Sequence, residues 1–315
     1  MLDRVGAEGL LAPGHPVVVM FSGGRDSTCL LDMAVRIAGV DAVSAVHANY
    51  GLRAAADADE RFCAELCERL GVQLDVRRPV RPGGAPPASR SAVAGNLQAW
   101  ARGERYRAAA ELAIARDADV AAGHTRSDQV ETILYRMASS PSRRAVLGMR
   151  PRDGALIRPL ISFTREDTGA YCTERGLPWR EDESNESSAF ARNRIRRDVV
   201  PAFERIHPAA QDNLLALAEV LRDEAEVLDA MVDTVLEEGG EIALTRLREL
   251  GPALQRLVVQ RLADEAAGEP AAGVARRAEE IAALSDHGTA SIDLPHGVRA
   301  TATAGRLRFS RTPAK

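Results

Sequence analysis

The sequence predicts an α/β protein, with a parallel sheet flanked by helices over residues 1–210. A smaller, mainly helical domain ending in short strands is expected over residues 211–315. Three observations predict it. Short apolar stretches alternate with helical periodicity from Val17 to Ala138, the pattern of a parallel sheet covered on both faces. After Pro141 the alternation stops, and from Pro208 onward the periodicity is helical. At 315 residues the chain also exceeds the ~250–300 over which a single core keeps growing. The boundary is expected near residues 207–215, and no internal repeat is visible.

Val17–Phe21 reads as a buried strand, and Ser27–Ile37 as a helix that Gly39 closes. Ala42–Ala48 is the second strand, Ala54–Leu70 the second helix, ended by Gly71, and Val72–Val80 the third strand. Arg81–Ser91 (RPGGAPPASRS) breaks all periodicity, as a Pro/Gly loop must. Asn96–Arg116 predicts a long helix, Asp119–Ala122 a strand and Ser127–Ala138 another helix. Leu156–Phe163 reads as one more strand, with helices at Arg165–Arg175 and Ala189–Val200. The second domain predicts helices at Gln211–Glu238, Ala243–Leu250, Pro252–Glu265 and Ala272–Leu284. Two or three strands follow in ASIDLPHGVRATATAGRLRFS, which alternates around turn signals. Ligands of such parallel sheets bind beyond the carboxyl ends of the strands.

Aromatics make up only 4% of the chain, so the cores rest on Ala, Val, Leu and Ile. Of 41 basic residues only Lys315 is lysine, chiefly a coding bias, although arginine suits phosphate recognition. A net charge of −4 does not mark a general nucleic-acid binder. The distribution is uneven, however. Residues 141–210 carry 13 basic and 10 acidic side chains, against 16 and 17 before them and 12 and 18 after. That local excess permits an RNA partner without requiring one. Cys29, Cys63, Cys67 and Cys172 form neither a C-x-x-C pair nor a zinc-spaced set, and read as small buried apolar residues. No apolar run reaches the ~18 residues of a membrane span, and the N-terminus lacks the regions of a signal peptide. A cytoplasmic protein with no membrane association is expected.

Five stretches carry possible chemistry. In VVVMFSGGRDSTCLL, Gly23 and Gly24 allow a sharp turn and close approach of a ligand. The amides of Arg25, Asp26 and Ser27 then open a helix, where an anion is favoured. Ser22 and Ser27 add hydroxyls. Asp26 would repel a phosphate unless a cation such as Mg²⁺ intervenes; the alternative is a plain turn with Asp26 or Ser27 as N-cap. HANYGLR places His47, Asn49 and Arg53 after the second strand, as nucleotide or phosphate contacts or as a solvated loop. In AWARGERYRAAAELA, Arg102 shares a helical face with Arg105 and Tyr106, as a ligand surface or a solvated basic stripe. GHTRSDQVETILYR sets His124 at a strand end and Asp128 and Glu131 on one face of the next helix. The acids there can hold a metal or a cationic substrate, or only cap and complement the helix start. In REDESNESSAFARNRIRRDVVP, Arg192, Arg194, Arg196 and Arg197 suit phosphate or an RNA backbone, or else pair with Glu181, Asp182, Glu183 and Glu186.

Taken in order, these stretches resemble the tRNA(Ile)-lysidine synthetases, members of the PP-loop group of ATP pyrophosphatases. SGGRDS matches the group's S-G-G-x-D-S loop, and HANYGLR, NLQAWARGERY and GHTRSDQVET are similar to the family's following elements. LIRPLI, LPWREDESN and ARNRIRRDVVP complete the set through Pro201. The resemblance implies a Rossmann-like PP-loop domain that uses ATP and Mg²⁺. It also implies ligation of free L-lysine to the wobble cytidine of the isoleucine tRNA with a CAU anticodon, through an adenylated intermediate. On this resemblance Ser22, Gly23, Gly24, Arg25, Asp26, Ser27, His47 and Asn49 bind the nucleotide, and Asp26 and Asp128 the metal. His124, Asp128 and Glu131 bind lysine. Asp26, Asp128, Arg102 and Arg194 act in catalysis, while Arg143, Arg144, Arg192, Arg196 and Arg197 hold tRNA. It leaves room for a homodimer.

The sequence departs from the family at Ser127, which replaces the first acid of a D-D pair, and at Tyr50, which stands where a second His is common. Met137–Met149 departs from a Gly-rich loop and adds Arg143 and Arg144. Two other readings compete. A PP-loop thiolase would need paired cysteines, which Cys63-x-x-x-Cys67 on a helix does not offer; a tRNA binder without catalysis would not need Asp26, Asp128 and Glu131.

Overall fold

Val17–Met20 (β1) is buried along its whole length, and its side chains divide between two cores. Val17, Val19 and the following Phe21 pack with one set of helices, Val18 and Met20 with another. This period of two on a strand buried on both faces is what the apolar run requires. The computed structural model describes residues 1–51, 56–80, 90–140, 143–181, 191–236 and 240–313. Two compact units result: Met1–Tyr135 with Gly148–Leu215, and Arg136–Leu147 with Ala216–Lys315.

In chain order the elements are α1 (Leu2–Ala7), β1, α2 (Arg25–Ala38), β2 (Val43–Ala48), α3 (Ala56–Leu70) and β3 (Gln73–Arg77). Next come α4 (Arg90–Arg116), β4 (Asp119–Ala121), α5 (Arg126–Ser139), β5 (Arg152–Asp153), β6 (Leu156–Ile157) and α6 (Arg165–Glu174). The sheet order is β3-β2-β1-β4-β6-β5, parallel throughout except for the β5–β6 pair. α2 and α6 contribute Leu30, Leu31, Tyr171 and Cys172 to the core against Val17 and Val19. α4 contributes Ala108, Ala109, Leu112 and Ala113 to the core against Val18 and Met20.

Leu156–Phe163 does not form one strand. Only Leu156 and Ile157 join the sheet, because Pro159 has no N–H for a ladder. Past it the chain turns, with Ile161 N donating to Arg158 O at 3.1 Å and Phe163 N to Leu160 O at 3.0 Å. The arginine-rich segment is helical over Ala191–Arg194 (α7) and Val200–Ile206 (α8), with a π-helical turn at Ile195–Val199 between them.

The second unit contains most of α9 (Ala210–Val235), then β7 (Ile242–Ala243), α10 (Leu244–Glu249), α11 (Pro252–Ala267) and α12 (Ala278–Ala282). β8 (Thr289–Leu294), β9 (Val298–Thr303) and β10 (Arg306–Arg311) follow. Its antiparallel sheet has the order β7-β10-β9-β8, and alternate residues Val298, Ala300 and Ala302 face the α11 core. The helix expected over Ala272–Leu284 is shorter, because Gly273 takes a φ of 87° and a 3-10 turn, Val274–Arg277, intervenes. No described helix is long and apolar enough to cross a membrane.

Candidate active site

β1 hands the chain to α2 through Ser22–Gly24. Gly23 adopts a φ of 79°, a left-handed conformation that side chains resist, and a Cβ there would lie 3.0 Å from Cys63 Sγ. Gly24, in extended conformation, is the N-cap of α2. Ser27 Oγ donates to Gly24 O at 2.9 Å and accepts from Ser22 N at 3.3 Å, which fixes the width of the turn. From outside, Arg180 N donates to Gly23 O at 2.8 Å. Gly123, after β4, lets that strand's end come against the loop: a Cβ there would be 3.2 Å from Asp26 C and O and Ser27 N. The first N–H groups of any helix lack intrahelical partners, an arrangement that can receive an anion.

α5 and α6 start with the same device. Asp128 Oδ2 accepts from Thr125 N at 2.9 Å and from Thr125 Oγ1 at 2.8 Å; Asp167 Oδ2 accepts from Thr164 N at 2.8 Å and from Thr164 Oγ1 at 2.9 Å. These boxes orient the first turns. From α6, Arg165 reaches three carboxylates: Nη2 is 2.7 Å from Asp128 Oδ1, Nη1 3.1 Å from Glu131 Oε1, and Nε 3.7 Å from Asp26 Oδ2. Thr168 Oγ1 donates to Asp26 Oδ1 at 2.5 Å. Glu131, only 2% exposed, also accepts from Arg196 Nε at 2.7 Å and Nη2 at 3.2 Å. Asp26, Asp128 and Glu131 therefore do converge.

Burial alone would raise Asp128, but Arg165, the Thr125 hydrogen bonds and His124 hold it below the usual carboxylate range. Burial lowers Arg165 less than Asp128, Glu131 and Asp26 raise it, so it stays charged. His124, next to Asp128, behaves oppositely. Burial pushes it down to about 3, aided by Arg102, Arg158 and Arg192 and opposed by Asp128, so it is a neutral imidazole. Its Nδ1 is buried without a hydrogen-bond partner.

The other expected site residues are distributed unevenly. His47 is buried and its Nδ1 donates to Phe21 O at 3.0 Å. Asn49 is buried too, donating to Asp57 at 3.1 Å and Glu60 at 2.8 Å and accepting from Gly51 N at 2.9 Å. Both brace the end of β2 through protein partners. Tyr50, just past β2, contacts α4, donating to Ala101 O at 2.6 Å and packing edge-on against Trp100. Arg25 lies on Asp26 at 3.2 Å, seated against Gly169. Arg102 stacks over Tyr106 and donates to its hydroxyl at 2.9 Å. Arg192 reaches Thr132 Oγ1 at 3.3 Å, Arg197 pairs with the neighbouring Asp198, and Arg194 is exposed. Arg144, in the second unit, pairs with Asp264 at 3.1 Å. Arg53, Asp182, Glu183, Glu186, the Arg81–Ser89 loop and the Arg143 side chain lie outside what is described.

Arg165, Thr168 and Arg158 were not legible as site residues. Arg158 is 6% exposed, with Nη1 donating to Arg150 O at 2.5 Å and Nε without a partner. The T-x-x-D boxes could have marked both helix starts. Nothing in the sequence marks the reach of Arg165 across the site.

Asp26 and Asp128 suit Mg²⁺, which takes oxygen donors, and they already gather round one cation. Among the described residues no group of three or more His, Cys, Asp or Glu side chains is spaced to hold a metal by itself. A Mg²⁺ there would need further oxygens from a phosphate or from water.

The PP-loop domain model, ATP_bind_3, matches residues 6–203. A tRNA(Ile)-lysidine synthase of Symbiobacterium thermophilum is 36% identical over 342 positions, covering 99% of this chain and 69% of the relative. The corresponding protein of Chlorobaculum tepidum is 31% identical, covering 99% of this chain and 96% of its own. In structure the chain is similar to a U34-tRNA thiolase of Methanococcus maripaludis with its [4Fe-4S] cluster. There the TM-score is 0.54 at 15% identity, over 70% of this chain and 77% of that one, a likeness of fold.

Proposed function

Because the chain belongs to the tRNA(Ile)-lysidine synthase family and carries its PP-loop domain, we propose that it ligates lysine to C2 of the wobble cytidine in the CAU-anticodon isoleucine tRNA. The reaction consumes ATP in two steps. O2 of the cytosine attacks the α-phosphate and pyrophosphate leaves; the lysine amine then attacks C2, and AMP leaves with O2. One observation carries the reading: a helix start built for phosphate lies beside paired carboxylates suited to an ammonium, joined through Arg165.

Ser22, Gly23, Gly24, Arg25 and Ser27 cradle the departing pyrophosphate, with His47 and Asn49 holding the neighbouring β2 end in shape. Mg²⁺ at Asp26 and Asp128 supplies neutralisation of the phosphate charge. Asp128 and Glu131 bind the lysine ammonium, and one of these carboxylates takes the proton it must lose before its amine attacks C2. His124, held neutral, accepts a hydrogen bond from the amine but is too weak a base to keep its proton. Arg102 and Arg194 bear on phosphate. Arg192 and Arg197, with Arg143 and Arg144, serve tRNA; Arg196 acts on Glu131, which it already grips. Residues 1–210 form the catalytic domain and 211–315 a tRNA-binding domain, in a cytoplasmic protein that a homodimer would suit.

Supplying tRNA, ATP and radiolabelled lysine should put label into RNA. Sulfur incorporation without lysine would select a thiolase instead, and RNA binding with neither product an inactive binder. Asp26→Ala should abolish AMP formation while tRNA binding persists; undiminished turnover in that variant would remove the metal from Asp26.

A further inference from the structure

Past the carboxyl ends of β4 and β6 the charge changes sign. The two strands are parallel neighbours, so His124 after β4 and Arg158 after β6 open on the same crevice. Ala122 N donates to Ile157 O at 3.0 Å and holds those ends together. Arg102 arrives from α4, stacked on Tyr106, which packs with Leu156 on the core against Val18 and Met20. Arg192 arrives from α7 and leans on Thr132 of α5. His124 is pushed down by all three guanidiniums, and Arg102 by Arg192, Arg105 and Arg158 as well as by burial.

None of the three arginines has an acid of its own. Arg102 donates to the Tyr106 hydroxyl, Arg158 Nη1 to Arg150 O at 2.5 Å and Arg192 to Thr132 Oγ1, and among the described residues no carboxylate pairs with any of them. The neighbouring acids are engaged: Asp128 and Glu131 by Arg165, Glu131 also by Arg196, and Glu104 by Arg107. Asp153 of β5 acts on Arg158 only from beyond ion-pair distance. Shutting a guanidinium away from water without a counterion is costly, and Arg158 is 6% exposed with its Nε enclosed and unbonded. Its Nη2 is unbonded too but not enclosed, so it stays open to a ligand. Three of the four enclosed side-chain atoms without a partner among the described residues, Arg105 Nε, His124 Nδ1 and Arg158 Nε, fall in this one cluster.

We propose that Arg158, with Arg102 and Arg192, forms a second phosphate site, separate from the β1–α2 loop, that takes a phosphate ester. The strand order β1-β4-β6 sets Arg158 two strands, roughly 9.5 Å, away from the strand that feeds the loop. Guanidinium forks from a strand end and two helices suit the several oxygens of one phosphate. A phosphate ester reaches this crevice from two sources, the nucleotide and the RNA backbone, and the experiment separates them. The site follows from the uncompensated charge and does not depend on lysine being the second substrate.

The test measures ligand affinity of the full chain, without lysine, in the wild type, Arg158→Gln and Arg158→Lys. The probes are ATP, AMP and adenosine by calorimetry, and a CAU-anticodon isoleucine tRNA transcript over a salt series. Arg158→Gln should lose about 10–100-fold in affinity for one phosphate source, the worth of one charge-assisted contact. Arg158→Lys should recover part of that loss, because the charge is kept and the fork is not. A loss for ATP and AMP with adenosine unchanged assigns the site to the nucleotide. A loss for tRNA, with the slope of log affinity against log salt reduced by about one, assigns it to the RNA backbone. Arg192→Gln is the second variant should Arg158→Gln not fold, with circular dichroism as the check. Unchanged affinity for every probe in a folded variant, or a loss shared equally by adenosine, would overturn the proposal. If the wild type attaches no lysine to tRNA, the proposed activity fails, and these affinities still judge the phosphate site separately.

Discussion

Gly123→Ala tests whether the phosphate loop and the end of β4 are as closely fitted as the structure shows. The added Cβ would lie 3.2 Å from Asp26 C, Asp26 O and Ser27 N, all main-chain atoms that cannot rotate away. Ordinary contact begins a few tenths of an ångström further out, so β4's end or the start of α2 must give way. Overpacking of this kind costs about 1–3 kcal/mol, which for a unit of this size lowers Tm by roughly 2–4 °C per kcal/mol. Asp26 moves with the loop. Since a misplacement of about 1 Å can cost on the order of 100-fold in rate, a shift of a few tenths should lower kcat several-fold. Gly24→Ala is the control: its φ is −76° and its Cβ would meet nothing nearer than Ser22 Oγ at 3.5 Å. It should keep its Tm and lose only ATP affinity. Thermal melts with pyrophosphate-release kinetics separate the two. An unchanged Tm and an unchanged rate in Gly123→Ala would refute the close fit.

Glu131→Gln leaves Arg165 and Arg196 facing an amide and should cost about 2–4 kcal/mol in urea melts, with a raised KM for lysine; a stability equal to wild type would deny that Glu131 is the shared partner. His124 gives a pH signature. Its folded value, near 3, lies below the unfolded ~6.5, so its contribution is fully present above that pH. As pH falls from there the unfolded chain takes up the proton first, and stability drops by up to ~1.4 kcal/mol per unit. His124→Asn should flatten denaturant midpoints between neutral and acid pH, and an equally steep decline would place the titration elsewhere. Arg194→Ala should weaken tRNA binding and reduce the slope of log affinity against log salt by about one; the same slope in both proteins would remove Arg194 from the RNA.

Legibility in the sequence followed the range of the physics. The β1–α2 turn could be read because its demands are local: Gly23 must reach a positive φ, and Ser22 and Ser27 bond across five residues. The helix start at Asp128 could be read for the same reason, and its capping role is the one the structure shows. One carboxylate oxygen caps α5 and the other meets Arg165. What could not be read is the partner: Arg165 lies 37 residues away, in a stretch that looks like any acidic helix start. Tyr50 shows the converse, since the residues around it suggest a ligand contact and the fold gives it to Trp100 and Ala101. The strand expected from Leu156 to Phe163 failed at Pro159 because an apolar run does not reveal whether each N–H is available.

Cys63 and Cys67 bear on the choice between the proposed lysine ligation and sulfur transfer. A persulfide carrier or cluster ligand must present a thiolate that a partner can reach. Here Cys63 is fully buried beneath Gly23 and Phe62, and Cys67 lies one turn further along α3 inside the same core. Burial raises both thiols, Cys67 to about 12, so neither ionises near neutral pH. Cys29 and Cys172 are equally enclosed, where α2 meets α6. All four are spent on packing the layer that holds the phosphate loop in place. The groups gathered around Arg165 are carboxylates, with the neutral imidazole of His124 beside Asp128, and it is on these rather than on a thiol that the proposed binding of an ammonium rests.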